Sequence, residues 1–187
     1  MKRRTWLQGL FAAAAGSIAS GSAGAAAGPQ SPQVEQLQKN WRTLLAAGVN
    51  APSPNDKVKL ADDEWKKRLD RAAYNVLREE GTERAGTSPL NAEKRAGVFA
   101  CAGCDLPLFT SDMKFESGTG WPSFFTTIPG VFESKKDFHL IYPREEYHCT
   151  RCGGHHGHVF EDGPKPTGLR YCNNGVALKF IPKSAKA

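Results

Sequence analysis

The spacing of apolar residues changes character once along this chain. Val34, Leu37, Trp41, Leu44 and Leu45 recur at the spacing of one helix face, and Gly48 supplies a stop. Trp41 reads as a packing residue of that helix. Asn50-Ala-Pro-Ser-Pro-Asn55 reads as a linker. A second stripe, Trp65, Leu69, Ala73, Val76 and Leu77, predicts one helix over 62–80, with Asp62 and Asp63 as caps and Gly81 as its end. From Gly97 onward, short β-type runs alternate with Gly/Pro turns. They predict strands at 98–100, 106–109, 138–142, 147–149 and 176–181. Val176, Leu178 and Phe180 alternate there with Ala177, Lys179 and Ile181, the pattern of a half-buried strand. Helices first and antiparallel strands afterwards predict a mainly β or α+β domain over 57–183, behind a helical extension and linker at 31–56.

Residues 1–30 stand outside that domain. Met1-Lys-Arg-Arg4 is a basic start, Trp6 to Ala27 is Ala/Gly-rich without an acid, and Ala23-Gly-Ala25 and Ala25-Ala-Ala27 are small-x-small cleavage sequences. This is the pattern of an export signal. Lys2-Arg3-Arg4-Thr5-Trp6-Leu7 resembles the twin-arginine type, which exports folded proteins to the bacterial periplasm. A general secretory signal with two chance arginines is the simpler alternative. The Ala/Gly stretch is too weakly apolar to predict a stable membrane anchor. Net charge is +6, and loss of Lys2, Arg3 and Arg4 leaves about +3 on the mature chain. That is little support for nucleic-acid binding.

Five cysteines sort by spacing into Cys101-Ala-Gly-Cys104, Cys149-Thr-Arg-Cys152 and a lone Cys172. Two Cys-x-x-Cys pairs suit a tetrahedral Cys₄ zinc site, which is structural because no position stays open for water. The 44 residues between the pairs exceed a compact zinc ribbon, so the ion is expected to join two separate hairpins. The alternatives are vicinal redox pairs or ordinary disulfides; the βαβ pattern of a thioredoxin is missing. A zinc-ribbon interaction module and a thiol-disulfide oxidoreductase are the competing functions. The first leaves Cys172 without a role.

Four further segments carry residues that packing alone does not demand: Ser117-Gly-Thr-Gly-Trp-Pro-Ser-Phe124, His155-His-Gly-His-Val-Phe160, Asp162-Gly-Pro164 and Pro166-Thr-Gly-Leu-Arg-Tyr-Cys-Asn174. With both cysteine pairs, Tyr74-Asn-Val-Leu-Arg-Glu-Glu-Gly-Thr-Glu-Arg84 and Ser88-Pro-Leu90, this ordered set closely resembles the B-type methionine sulfoxide reductases, the peptide-methionine (R)-S-oxide reductases. The resemblance spans about residues 57–182. It implies two small antiparallel sheets with N-terminal helices. It also implies repair of oxidised proteins and peptides, by reduction of the R-epimer of methionine sulfoxide to methionine.

In that light Cys172 is the candidate nucleophile. Arg170 lies two residues away, so in an extended segment it shares a face with Cys172, where its charge is expected to favour the thiolate. The resemblance implies that His155 and His158 are the functional pair, that Trp121 walls the substrate methyl group, and that Asn174 positions the reacting groups. His156 departs from the family's usual apolar residue. A regular strand puts His156 and His158 on one face and excludes His155, and Gly153, Gly154 and Gly157 argue against a regular strand. A second metal site is the alternative reading of the histidine cluster, and a core position is the alternative for Trp121. Thr119 stands where many family members carry a resolving cysteine. An external thiol, such as a thioredoxin-like protein, is therefore expected to regenerate Cys172, and the chain is expected to act as a monomer.

Overall fold

The computed structural model describes residues 31–45, 48–137 and 144–183. The export segment at 1–30 and the strand predicted at 138–142 lie outside the described residues.

Helix α1 (Pro32–Asn40) starts at Ser31, whose side chain caps the Val34 amide, and ends in a 3₁₀ turn over Trp41–Leu44. Trp41 is a core residue, as its place on the apolar stripe implied. The single helix expected over 62–80 is two helices, α2 (Asp62–Arg68) and α3 (Arg71–Glu79). Leu69 is extended between them, and the Asp70 carboxylate accepts from the Ala73 amide at 2.8 Å, capping α3. Asp62 and Asp63 are first-turn residues, not caps. Ala61 occupies the cap position, where Glu64 reaches back to its amide at 3.0 Å. Glu80, in the left-handed region, closes α3 one residue before Gly81.

Among the described residues nine strands follow: β1 (Gly97–Cys101), β2 (Pro107–Thr110), β3 (Lys114–Phe115), β4 (Ser123–Phe124), β5 (Phe132–Asp137), β6 (Arg144–Cys149), β7 (His155–Phe160), β8 (Arg170–Asn173) and β9 (Leu178–Pro182). They form two antiparallel sheets, one ordered β2-β1-β9 and one ordered β3-β4-β8-β7-β6-β5. The expected α+β architecture is therefore present. An aromatic core fills the space between the sheets. Phe109 of β2 stacks on Phe124 of β4 at 3.9 Å between centroids; Phe99, Phe132 and Tyr171 contact that pair, and Tyr147 packs on Phe132 and Tyr171.

The segment His155–Phe160 is a strand, and it is irregular, in keeping with the glycines that argued against a regular one. Tyr147 pairs with Gly157 and His148 pairs with His155, so one extra residue of β7 bulges against β6. The bulge shifts the alternation by one. His155, His158 and Phe160 form a chain of ring contacts on one face, while His156 turns into the core against Phe132 and Tyr147. His156 is thus a fully buried core residue. Burial pushes its pKa down to about 3. Gly157 is needed where β7 approaches β8, because a Cβ there would lie 2.0 Å from the Cys172 carbonyl oxygen.

Candidate active site and metal centre

Cys101 ends β1 and Cys104 lies in the β1–β2 turn; Cys149 ends β6 and Cys152 lies in the β6–β7 turn. The two turns share one backbone design. The Asp105 amide donates to the Cys101 carbonyl at 2.9 Å, and the Gly153 amide donates to the Cys149 carbonyl at 2.8 Å. Asp105 and Gly153 both hold positive φ, 63° and 69°. This geometry aims two sulfurs of each turn at one point. The four thiols are free and buried, and their sulfurs all lie within 4.8 Å of one another. Cys101 and Cys152 sulfurs are 3.7 Å apart, and Cys104 and Cys149 sulfurs 3.6 Å. A zinc ion with Zn–S bonds of about 2.3 Å spaces tetrahedral sulfurs about 3.8 Å apart, so the donor set fits such an ion. Hydrogen bonds from Cys101, Cys149 and Cys152 hold the Cys104 thiol far below the ordinary thiol range. An ion here joins the two sheets, since each contributes one turn.

Cys172 sits apart, in β8. His158 of β7 is its direct cross-strand partner on one side, and Ser123 of β4 on the other. A small cavity of about 150 Å³ lies over it, lined by Thr82, Trp121, Arg144, His158, Asn174 and Cys172 among others. Trp121 is half-buried and lines the cavity, with its indole N–H donating to the Glu83 carbonyl at 3.2 Å. His155 is not in the cavity wall. It is 1% exposed, behind His158, with ring centroids 5.5 Å apart.

Arg170 shares the face of Cys172 as alternation required, and its charge acts on the thiol. That charge favours the thiolate, as expected, but it is not the largest influence on Cys172. Burial pushes the Cys172 thiol above the ordinary range, and this outweighs the downward pull of the Arg170 charge and of hydrogen bonds from Thr119 and Arg170. The guanidinium is also shared: its Nε and Nη2 donate to Asp162 at 2.7 and 2.8 Å, and it lies 4.3 Å over the Phe160 ring. Asn174 is a structural bracket as well as a cavity residue. Its Nδ2 donates to the His156 carbonyl at 2.9 Å, and its Oδ1 accepts from the Glu83 amide at 3.0 Å.

The Thr119 hydroxyl is near enough to Cys172 to pull its pKa down, and it lies 2.8 Å from the Ser117 hydroxyl in a chain that continues to Ser123. All five cysteines are accounted for, four in the cluster and one here, so no second thiol stands beside Cys172.

Three residues outside the predicted set hold this site together. The Glu83 carboxylate accepts from the Gly175 and Val176 amides at 2.5 and 3.0 Å, fixing the loop after Cys172. Asp162 holds Arg170. Glu146, 8% exposed, contacts His148 at 3.0 Å and His155 at 3.5 Å. The first two lie within the recognised segments; no local signal marks the third.

Residues 69–182 match the SelR domain family. The chain belongs to that family. A peptide methionine sulfoxide reductase MsrB of Leptospira interrogans is 49% identical over 127 residues, covering 67% of this chain and 97% of the relative. The enzyme of the same name from Methanosarcina barkeri is 52% identical over 124 residues, covering 66% and 87%. The chloroplastic peptide methionine sulfoxide reductase B1 of Arabidopsis thaliana is 48% identical over 133 residues, covering 71% and 66%. Within this SelR-domain chain the match takes in the whole cavity and all four cysteines of the cluster.

Proposed function

We propose that this protein is a peptide-methionine (R)-S-oxide reductase with Cys172 as its nucleophile. The observation that carries the reading is the pairing of Cys172 with His158 beneath a small cavity walled by Trp121. The cavity is apolar on its tryptophan side, which suits a thioether methyl group, and polar on its histidine side, which suits an S–O oxygen.

Chemistry follows from those positions. The Cys172 thiolate attacks the sulfoxide sulfur, and His158, with His155 behind it, supplies the proton that oxygen needs as the S–O bond weakens. Two electrons pass from the cysteine sulfur to the substrate sulfur. Methionine leaves as the thioether, and the oxygen remains on Cys172 as sulfenic acid. Asn174 holds the backbones that carry the two histidines and the thiol. Arg170, restrained by Asp162, lends charge to the thiolate once it forms.

Thr119 beside Cys172 in place of a thiol supports direct regeneration by an external thiol. One thiol condenses with the sulfenic acid and releases water, and a second displaces Cys172 from the mixed disulfide. The four-cysteine cluster is read as a structural zinc site, for which its spacing and burial argue. We further read residues 1–30 as a twin-arginine export signal that delivers the folded, metal-loaded domain to the periplasm. Equal zinc content after export by a general secretory signal sinks that route.

The test is an assay of both sulfoxide epimers with wild type and Cys172→Ser. Turnover of the R-epimer alone, lost in the variant, is expected. Turnover of the S-epimer alone, or an active variant, overturns the assignment. Dimedone trapping after one equivalent of sulfoxide decides the fate of Cys172.

A further inference from the structure

Behind His158, on the side away from the cavity, three potential ligand atoms converge. Glu146 and His148 alternate on β6 and so share a face, and His155 of β7 is the cross-strand partner of His148. The bulge in β7 is what turns His155 to that face. One ligand atom from each residue lies within 4.8 Å of the other two. All three residues are buried, at 8%, 4% and 1% exposure for Glu146, His148 and His155.

The carboxylate approaches both histidines, one through each oxygen. Glu146 Oε1 is 3.0 Å from His148 Nε2, and Oε2 is 3.5 Å from His155 Nδ1. Nitrogen and oxygen donors at about 2.0–2.1 Å from a tetrahedral ion stand about 3.3–3.4 Å apart, between those two values.

His148 supplies a second, independent observation. Its Nδ1 lies 3.3 Å from the Gly153 carbonyl oxygen. A carbonyl only accepts, so Nδ1 carries the proton of that bond. Nε2 is buried and aimed at the Glu146 carboxylate without an aligned hydrogen bond. Metal-ligating histidines are held in this way, with the other ring nitrogen donating to a carbonyl. A proton on Nε2 is the competing answer, and the test separates the two.

We propose that Glu146, His148 and His155 form a second metal site, distinct from the four-cysteine cluster, for a first-row divalent ion such as Zn²⁺ or Co²⁺. Two imidazoles and a carboxylate leave a fourth position for water, the donor set of an exchangeable site and not of a closed one. Occupancy engages His155 as a ligand, and with it the ring behind His158. Bound metal therefore inhibits sulfoxide reduction reversibly. That consequence rests on the reading of the reductase site; the metal count does not.

The experiment uses tag-free full-domain protein purified with its cysteine cluster loaded, dialysed against micromolar free Zn²⁺ or Co²⁺ and measured for bound metal. Two ions per chain are expected in wild type, and one in His148→Gln and Glu146→Gln. The retained ion reports that the fold is intact. Cobalt in the second site shows ligand-field bands without sulfur charge-transfer intensity, and paramagnetic shifts on the His148 and His155 ring protons. Those shifts are read on wild type and stand even where a variant misfolds. A metal count that stays at one, or a second ion bound equally by both variants, overturns the site. A second ion that binds at His148 and His155 without inhibiting confirms the site and overturns the catalytic reading of His155 instead.

Discussion

His158 and Cys172 are direct cross-strand partners, facing each other from adjacent antiparallel strands. The Cβ atoms of such pairs lie about 4.5–5.5 Å apart, so a substrate atom held between the two side chains touches both. The backbone ladder, not a flexible loop, sets the separation of nucleophile and acid. His158→Gln is expected to lower kcat about 10²–10⁴-fold, the usual worth of a positioned proton donor, with little change in KM. Steady-state kinetics on the R-epimer check this. An equal loss carried in KM reassigns His158 to binding.

Burial holds the Cys172 thiol above its ordinary range, so the free enzyme carries little thiolate at neutral pH. A raised thiol pKa means that reactivity appears only as pH climbs through that higher value. Alkylation of Cys172 by iodoacetamide should therefore keep rising beyond the pH at which an unperturbed thiol levels off. Thr119→Val removes a hydrogen bond that pulls the pKa down and should move the curve further up. A plateau near neutrality would falsify the burial argument.

Thr119 lies near the nucleophile, close enough to act on its thiol. Thr119→Cys is expected to convert the product of a single turnover from a dimedone-reactive sulfenic acid into an intramolecular disulfide. Intact mass with and without dimedone distinguishes the two. Persistence of the dimedone adduct in the variant means the Thr119 position does not reach Cys172 in the working enzyme.

The four-cysteine cluster joins one turn from each sheet. Structural zinc contributes about 10–16 kcal/mol of apparent binding free energy, comparable to the whole stability of a domain at about 5–15 kcal/mol. Cys149→Ser should abolish tight zinc binding and thermal cooperativity together. Metal analysis beside calorimetry tests this, and an unchanged Tm in a zinc-free variant rejects the clasp.

His156 titrates between about 3 folded and 6.5 unfolded. The unfolded chain binds its proton first as pH falls. The stability tied to neutral His156 is therefore complete above pH 6.5 and is lost progressively down to about 3, at about 1.4 kcal/mol per pH unit. His156→Leu should flatten urea midpoints across that window without loss of activity. Parallel slopes in variant and wild type refute the assignment.

What the sequence disclosed was local. Cys101, Cys104, Cys149 and Cys152 declare a metal because each pair is closed by its own turn. The break at Leu69 was hidden because Trp65 and Leu77 both face the core, so the apolar stripe runs unbroken across two helices. The edge strand Phe132–Asp137 carries Glu133, Lys135 and Lys136, and shows no alternation strong enough to read. Strand β7 was obscured by glycines, one of which serves the close approach to β8. Glu83 and Glu146 act through partners distant in sequence or across a sheet, and a lone acidic residue in a polar segment announces neither. The pull of Arg170 on Cys172 was correct in sign and insufficient in size, because burial is invisible in a list of neighbours.

The bulge at the start of β7 works as a phase shifter. Three histidines occupy six positions, and the single extra residue decides which of them meet polar surroundings and which meets phenyl rings. A regular ladder through the same letters would turn His155 toward the phenyl rings and set His156 behind His158. His158 would stay opposite Cys172, so the extra residue chooses the neighbour of the proton donor and leaves the donor itself in place.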